Sequence, residues 1–244
     1  MTDASRFRVN PGRTPGAYQR GRGSLVCAAV RVGRKILAVG GIRMGTKVAP
    51  LPADAPPRSV HRFTIEEYER LTAIGFFTPG DRSELIDGWL VDKMAHNPQH
   101  AGTVDVTNSA IADLLPAEWT TRTQLPVRLP GDNAPEPDVA VVQAPKQQYT
   151  KRHPTEKDVT IVIEVSDTSL DEDRRLKIPQ YAKAKLPVYW IVNLVDRCVE
   201  VYTQPKGGKN PTYKTRADYG PGDVVPVVVD GEQVGTISVT DLLP

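Results

Sequence analysis

Cysteine is nearly absent from this chain. Its 244 residues hold two, Cys27 and Cys198, far apart and in no Cys-x-x-Cys spacing. That excludes a disulfide framework and a thiolate zinc site, and it points to a reducing compartment, the cytoplasm. Long apolar runs are missing too. The most apolar early segment, residues 24–39, carries Arg31, Arg34 and Lys35 inside it, so it reads neither as a bilayer span of about 20 residues nor as a signal peptide with its charge in front. Paired-histidine metal ligation has little support: no histidine follows His100 at four residues, and His96 falls in a loop. No helix clusters Arg, Asn and Gln as a major-groove reader would, and there is no zinc finger.

Acids are missing from the front of the chain. Residues 1–60 hold 11 Lys and Arg against Asp3 and Asp54, a balance of +9, whereas the rest holds 20 against 27, or −7. The net charge of +2 therefore hides a basic leader and an acidic main domain. Residues 1–23 are rich in Arg, Gly and Pro without apolar period and read as disordered. The leader is open to two readings, an Arg-rich transit peptide or a gene-start error with the true start at Met44; residues 46–59, rich in Pro and Ala, then form a linker. Residues 1–61 are assigned as this extension and 62–244 as one domain, with 39% hydrophobic composition overall, enough for a sizeable core.

Within the domain, Thr64 and Glu67 form a capping box ahead of a helix whose apolar face runs through Leu71 and Ile74 to Gly75. Asp87-Gly88 between two apolar runs predicts a hairpin over residues 84–91. A second helix is expected over 101–115, stopped by Pro116, then strands over 120–127, 138–142 and 159–165. A helix over 170–184 carries a capping box at Ser169 and Glu172 and a proline, Pro179, that bends it. Strands follow over 188–194 and 198–203, joined at Val195-Asp196-Arg197, and two short ones over 224–229 and 236–239. The order predicts an α/β fold with a mixed central sheet flanked by helices.

The chemistry centres on Thr160 to Lys177. An apolar β-branched run ends in Glu164, a carboxylate that is expensive to bury unless a cation shares its site. Pro137-Asp138 opens the preceding strand, and if the two strands are antiparallel neighbours both acids reach one sheet edge, a pair of hard oxygen ligands suited to Mg²⁺. A turn of helix puts Asp173, Lys177 and Tyr181 on one face.

Pro137-Asp138, then Glu164-Val165-Ser166, Asp173, Lys177, Tyr181 and the run Val188 to Val192 together resemble the Uma-type family of restriction endonuclease-like proteins, of the PD-(D/E)xK nuclease fold. Glu84 to Gly88 and His100 fit the same pattern, and the resemblance spans residues 62–244. It implies a restriction-endonuclease-like core and a Mg²⁺- or Mn²⁺-dependent endonuclease acting on DNA. Asp138 and Glu164 would be metal ligands, with the main-chain carbonyl of Val165 as a third. Ser166 stands where the fold's lysine is usual, so Lys177 is implied as a migrated lysine reaching in from the helix. Glu84 is implied as an additional catalytic acid, with Asp173 and His100 as auxiliaries. Such a set supports phosphodiester hydrolysis, in which metal and lysine offset phosphoryl charge.

Each residue also has a plainer reading. A strand-end acid is commonly a solvated turn residue; Lys177 could pair with Asp173 on the helix surface; Glu84 could bond Arg82; His100 could pack at a helix start; Tyr189 and Trp190 read as core. The loop over 143–158, with Lys146, Lys151, Arg152 and Lys157, offers Lys151 and Arg152 as DNA contacts or is an ordinary solvated loop. Two other functions stay open: a nuclease-like scaffold that binds nucleic acid or protein without cutting, suggested by the displaced lysine and acidic balance, and a carboxylate-pair glycosidase, which needs no lysine. Cutting both strands of a duplex calls for a homodimer; no membrane partner is expected.

Overall fold

The computed structural model describes residues 60–78, 81, 83–93 and 97–244. The leader, the Met44 start, the linker, Cys27, Arg82 and His96 lie outside the described residues.

The first helix, α1 (Ile65–Ala73), starts as expected: Thr64 accepts from the Glu67 amide at 3.2 Å and Glu67 accepts from the Thr64 amide at 2.9 Å. Its apolar face is shorter than the spacing suggested, because Ile65 and Tyr68 are buried while Ile74 is exposed. The hairpin of β1 (Ser83–Ile86) and β2 (Trp89–Asp92) turns at Asp87 and Gly88, with φ of 45° and 80°. That is the left-handed pair of a type I′ turn. Gly88 is doubly required, since a Cβ there would lie 2.8 Å from the Arg62 Cβ. Leu85 exchanges backbone hydrogen bonds with Ala134, which ties the hairpin to the segment leading into the main sheet.

Helix α2 (Pro98–Ala112) begins three residues earlier than predicted. Asn97 caps it by accepting from the His100 amide at 2.8 Å, and Pro98 occupies the first position, where its missing N–H has no intrahelical partner to lose. The next strands are β3 (Trp119–Thr123), β4 (Val139–Gln143), β5 (Val159–Ser166), β6 (Val188–Asn193), β7 (Cys198–Lys206) and β8 (Thr212–Tyr219), side by side in that order. Only β5 and β6 are parallel. Their helical crossover comprises α3 (Leu170–Glu172), a wider π-helical turn (Asp173–Lys177) and α4 (Ile178–Lys183). The predicted continuous helix is therefore interrupted. Pro179 cannot donate to the Arg175 carbonyl and its ring crowds that turn, and the wide turn just before it accommodates both effects.

Three further predictions are corrected. Strand β3 stops at Thr123 because Gln124 turns into the left-handed region at φ 52°. The Ser169–Glu172 capping box does not form; the Ser169 hydroxyl donates to Asp173 at 2.7 Å. Strand β8 was not anticipated: Thr-Tyr-Lys-Thr-Arg-Ala-Asp-Tyr is mostly polar, and it lies at the exposed edge of the sheet, where charged side chains are usual. A second hairpin, β9 (Val224–Val229) with β10 (Glu232–Ser238), precedes a short α5 (Val239–Leu242) that was also unpredicted.

Alternation along the central strands splits the core in two. Val139, Val141, Ile161, Ile163, Val165, Trp190 and Val192 share one cluster with Val104 and Ile111 of α2 and with β9, β10 and α5. Ala140, Val142, Val162, Tyr189 and Ile191 share the other with Tyr181 and Ala182 of α4. Strands covered on both faces read as unbroken apolar runs, which is why β5 and β6 were legible. Among the described residues no helix is long and apolar enough to cross a membrane.

Candidate active site

The antiparallel register that pairs Val139 with Ile163 sets Asp138 opposite Glu164, at the edge anticipated for them. Each carboxylate grips the other strand: the Asp138 amide donates to Glu164 Oε2 at 3.2 Å, and the Val165 amide donates to Asp138 Oδ2 at 2.9 Å. Tyr181 on α4 donates its hydroxyl to Glu164 Oε1 at 2.6 Å. His100 on α2 brings its Nε2 within 3.3 Å of Asp138 Oδ2, and Gln124 donates to Oδ1 at 3.3 Å. Both faces of the sheet thus supply groups to one strand end.

Lys177 arrives from the π-helical turn and is buried. Its Nζ donates to both oxygens of Glu84, each at 2.6 Å, and lies 3.8 Å from Glu164 Oε1. Asp173, Lys177 and Tyr181, four residues apart in turn, are all buried on the face that helical spacing gives them. Glu84 is therefore the partner of Lys177, and it also accepts from the Glu136 amide at 3.0 Å. Asp173 holds a different post. Its Oδ2 accepts from Ser166 and Ser169, each at 2.7 Å, so it fixes the exit of β5 and does not orient Lys177 by direct contact. The plain readings of Lys177 as a surface lysine and of Asp138 and Glu164 as solvated turn residues are excluded by their burial.

The residues line an open cleft of about 750 Å³, open solvent included, together with Asp92, Lys93, Asp167 and Glu172. Acids outnumber lysines there, and the charges respond. Burial pushes Glu164 above the ordinary carboxylate range; Lys177 opposes this and the Asp138 charge adds to it. For Asp138 burial acts in the same sense, but the hydrogen bond from His100 and the charge of Lys93 hold it below the ordinary range. Glu84, also buried, is held low by Lys177 and Lys93. Burial works against the Lys177 ammonium, yet Glu84 and Glu164 keep its pKa above the usual lysine value. Two facing carboxylates that resist joint ionisation form a site short of positive charge.

Among the described residues no three His, Cys, Asp or Glu side chains group closely enough to hold a metal by themselves. What converges is two carboxylates at a strand end with Val165 beside them. That set fits Mg²⁺, which takes one or two carboxylates and retains several waters.

Lys151 and Arg152 are not brought to this cleft. They sit in the loop joining the far ends of β4 and β5, about 17 Å away along β5 at about 3.3 Å per residue. Arg152 donates to both oxygens of Asp158, at 2.6 and 2.9 Å, and stacks on Tyr149. Tyr181, Gln124, Ser169 and Lys93 belong to the cleft or its supports without having been singled out as site residues. Two of them left a usable signal: helical spacing put Tyr181 on the face of Asp173 and Lys177, and a two-residue turn at Asp87-Gly88 pairs Glu84 with Val91, so that alternation places Lys93 diagonally across on the face of Glu84.

A family model described as Uma2, Putative restriction endonuclease, matches residues 65–233. Among solved structures, a putative nuclease belonging to DUF820 from Anabaena variabilis ATCC 29413 is similar at 18% identity and a TM-score of 0.53, over 74% of this chain and 97% of that one. The likeness carries the fold. No curated protein matches the chain.

Proposed function

This chain belongs to the Uma2 family, and from that premise we propose that it is a divalent-metal-dependent endonuclease hydrolysing DNA phosphodiester bonds. The observation that carries the reading is the convergence of Asp138, Glu164 and Lys177, from three separate elements, in one cleft short of positive charge.

Asp138 and Glu164 would hold Mg²⁺ or Mn²⁺, with the Val165 carbonyl as a further oxygen ligand. Bound there, the metal supplies charge for the phosphate and a lowered pKa for its water. The rest falls to the chain. Tyr181 and the Asp138 amide fix both oxygens of Glu164. Glu84 holds Lys177 charged beside Glu164, where its ammonium offsets the negative charge that develops on phosphoryl oxygens. His100, resting on Asp138, keeps that carboxylate ionised. A glycosidase reading leaves the buried lysine without a task. Cleavage of both strands would use two copies of the chain, and a reducing cytoplasm is the setting that the cysteine usage suits.

The test is cleavage of supercoiled plasmid by the full chain with Mg²⁺, Mn²⁺ or EDTA, beside Glu164→Gln. Metal-dependent nicking that the variant loses is expected. Nicking that persists in EDTA or in the variant overturns the proposal. One observation favours a second reading, a scaffold that binds without cutting: Lys177 is engaged by both oxygens of Glu84, and Ser166 at the usual lysine place is bonded to Asp173. DNA retained without turnover in the presence of metal would support it.

A further inference from the structure

Lys93 differs from the other cation of the cleft. It follows β2 at the end of the hairpin, half-buried at the rim. Its Nζ donates to a neutral acceptor, the main-chain carbonyl of Glu136. Among the described residues no carboxylate lies within ion-pair distance of it, whereas Lys177 is clasped by Glu84. Its charge nevertheless reaches Glu84, Asp138 and Glu164, all of which it holds toward the ionised form.

The anchoring is built. The Glu136 amide donates to Glu84 Oε2 at 3.0 Å while its carbonyl receives Lys93, so one residue spans both groups, two positions before Asp138. With the diagonal placement of Lys93 across the hairpin from Glu84, the ammonium is held at the rim and not left to swing in solvent. An ammonium has three donors, and among the described residues the Glu136 carbonyl takes one.

We propose that Lys93 is a further substrate-binding residue, whose ammonium takes a phosphate of the nucleic-acid backbone as it enters the cleft. The inference rests on the nuclease reading. A polyanion approaching a cleft lined by Glu84, Asp92, Asp138, Glu164, Asp167 and Asp173 meets repulsion, and Lys177 is already neutralised by Glu84. Lys93 presents a positive charge at the rim that, among the described residues, no direct carboxylate contact cancels.

The experiment titrates a fluorescent DNA duplex with the full chain in Ca²⁺ over a range of salt, for the parent, Lys93→Gln and Lys93→Arg, with thermal melting of each. Glutamine keeps a donor for the Glu136 carbonyl and removes the charge. Lys93→Gln should bind about tenfold more weakly and lower the slope of log K against log salt by about 0.9, with melting unchanged. Lys93→Arg should restore the slope. Parent-like affinity and slope in Lys93→Gln overturn the inference while leaving the nuclease reading intact. A parent chain that neither binds nor cuts DNA removes that reading, and this inference with it.

Discussion

Arg174 and Lys177 stand three residues apart on the same π-helical turn and each meets a buried glutamate, yet the two surroundings differ in kind. Around Glu200 every demand is met: Arg174 donates to both oxygens, Tyr202 donates to Oε2 at 2.6 Å, Asn193 to Oε1 at 2.8 Å, and Arg216 lies at 3.5 Å. Burial alone would raise the Glu200 pKa, but these partners hold it below the ordinary range. Around Lys177 one ammonium faces Glu84 and Glu164 while Asp138 and Asp173 stand close by, and Glu164 is pushed upward. The first network is closed and holds the fold. The second is open, and an imbalance of charge among buried side chains that line a cleft is the pattern expected of a functional site.

The contrast can be broken by mutation. Glu164→Gln and Lys177→Ala should each lower the rate of plasmid cleavage by about 10²- to 10³-fold, as measured by nicking time courses in Mg²⁺. Glu200→Ala should act on stability instead, with a loss of about 3 kcal/mol in urea unfolding, because Arg174 and Asn193 lose their shared acceptor. Its folded fraction should cut DNA at close to the parent rate. Glu164→Gln should change stability by less than about 1 kcal/mol in metal-free buffer, since the acceptor lost to Tyr181 or the Asp138 amide is offset by removing an acid that burial and Asp138 disfavour. A large loss there would place Glu164 with Glu200 among the structural acids.

The smallest effect concerns the far end of the sheet. Arg152 and the Thr155 groups hold the Asp158 pKa down to about 2. A depressed carboxylate contributes stability that is complete above its ordinary range and is lost as pH falls through the folded value. The pair is partly exposed, so the contribution stays below about 1 kcal/mol. Unfolding of Asp158→Asn beside the parent should differ by that amount near neutrality and converge as the pH approaches about 2.

The residues that were legible in sequence share a physical cause. Thr64 with Glu67, and Asp87 with Gly88, are local devices whose partners lie within four residues. The β-branched runs of β4, β5 and β6 betray their burial on both faces. From them the opposition of Asp138 and Glu164 follows by register. Lys177 paired with Glu84 was out of reach, because 93 residues separate them. Four-residue spacing put Asp173 beside Lys177, whereas its hydrogen-bond partners are Ser166 and Ser169, which reach it from the end of β5 and the turn after it. Strand β8 was hidden by its polar edge composition.

The most direct test of the proposed divalent-cation site is thermal melting of the parent and of Glu164→Gln across a Mg²⁺ titration. Binding to the folded state alone should raise the parent midpoint with metal concentration and leave the variant unmoved. A midpoint indifferent to Mg²⁺ in the parent, or raised equally in the variant, would contradict the account.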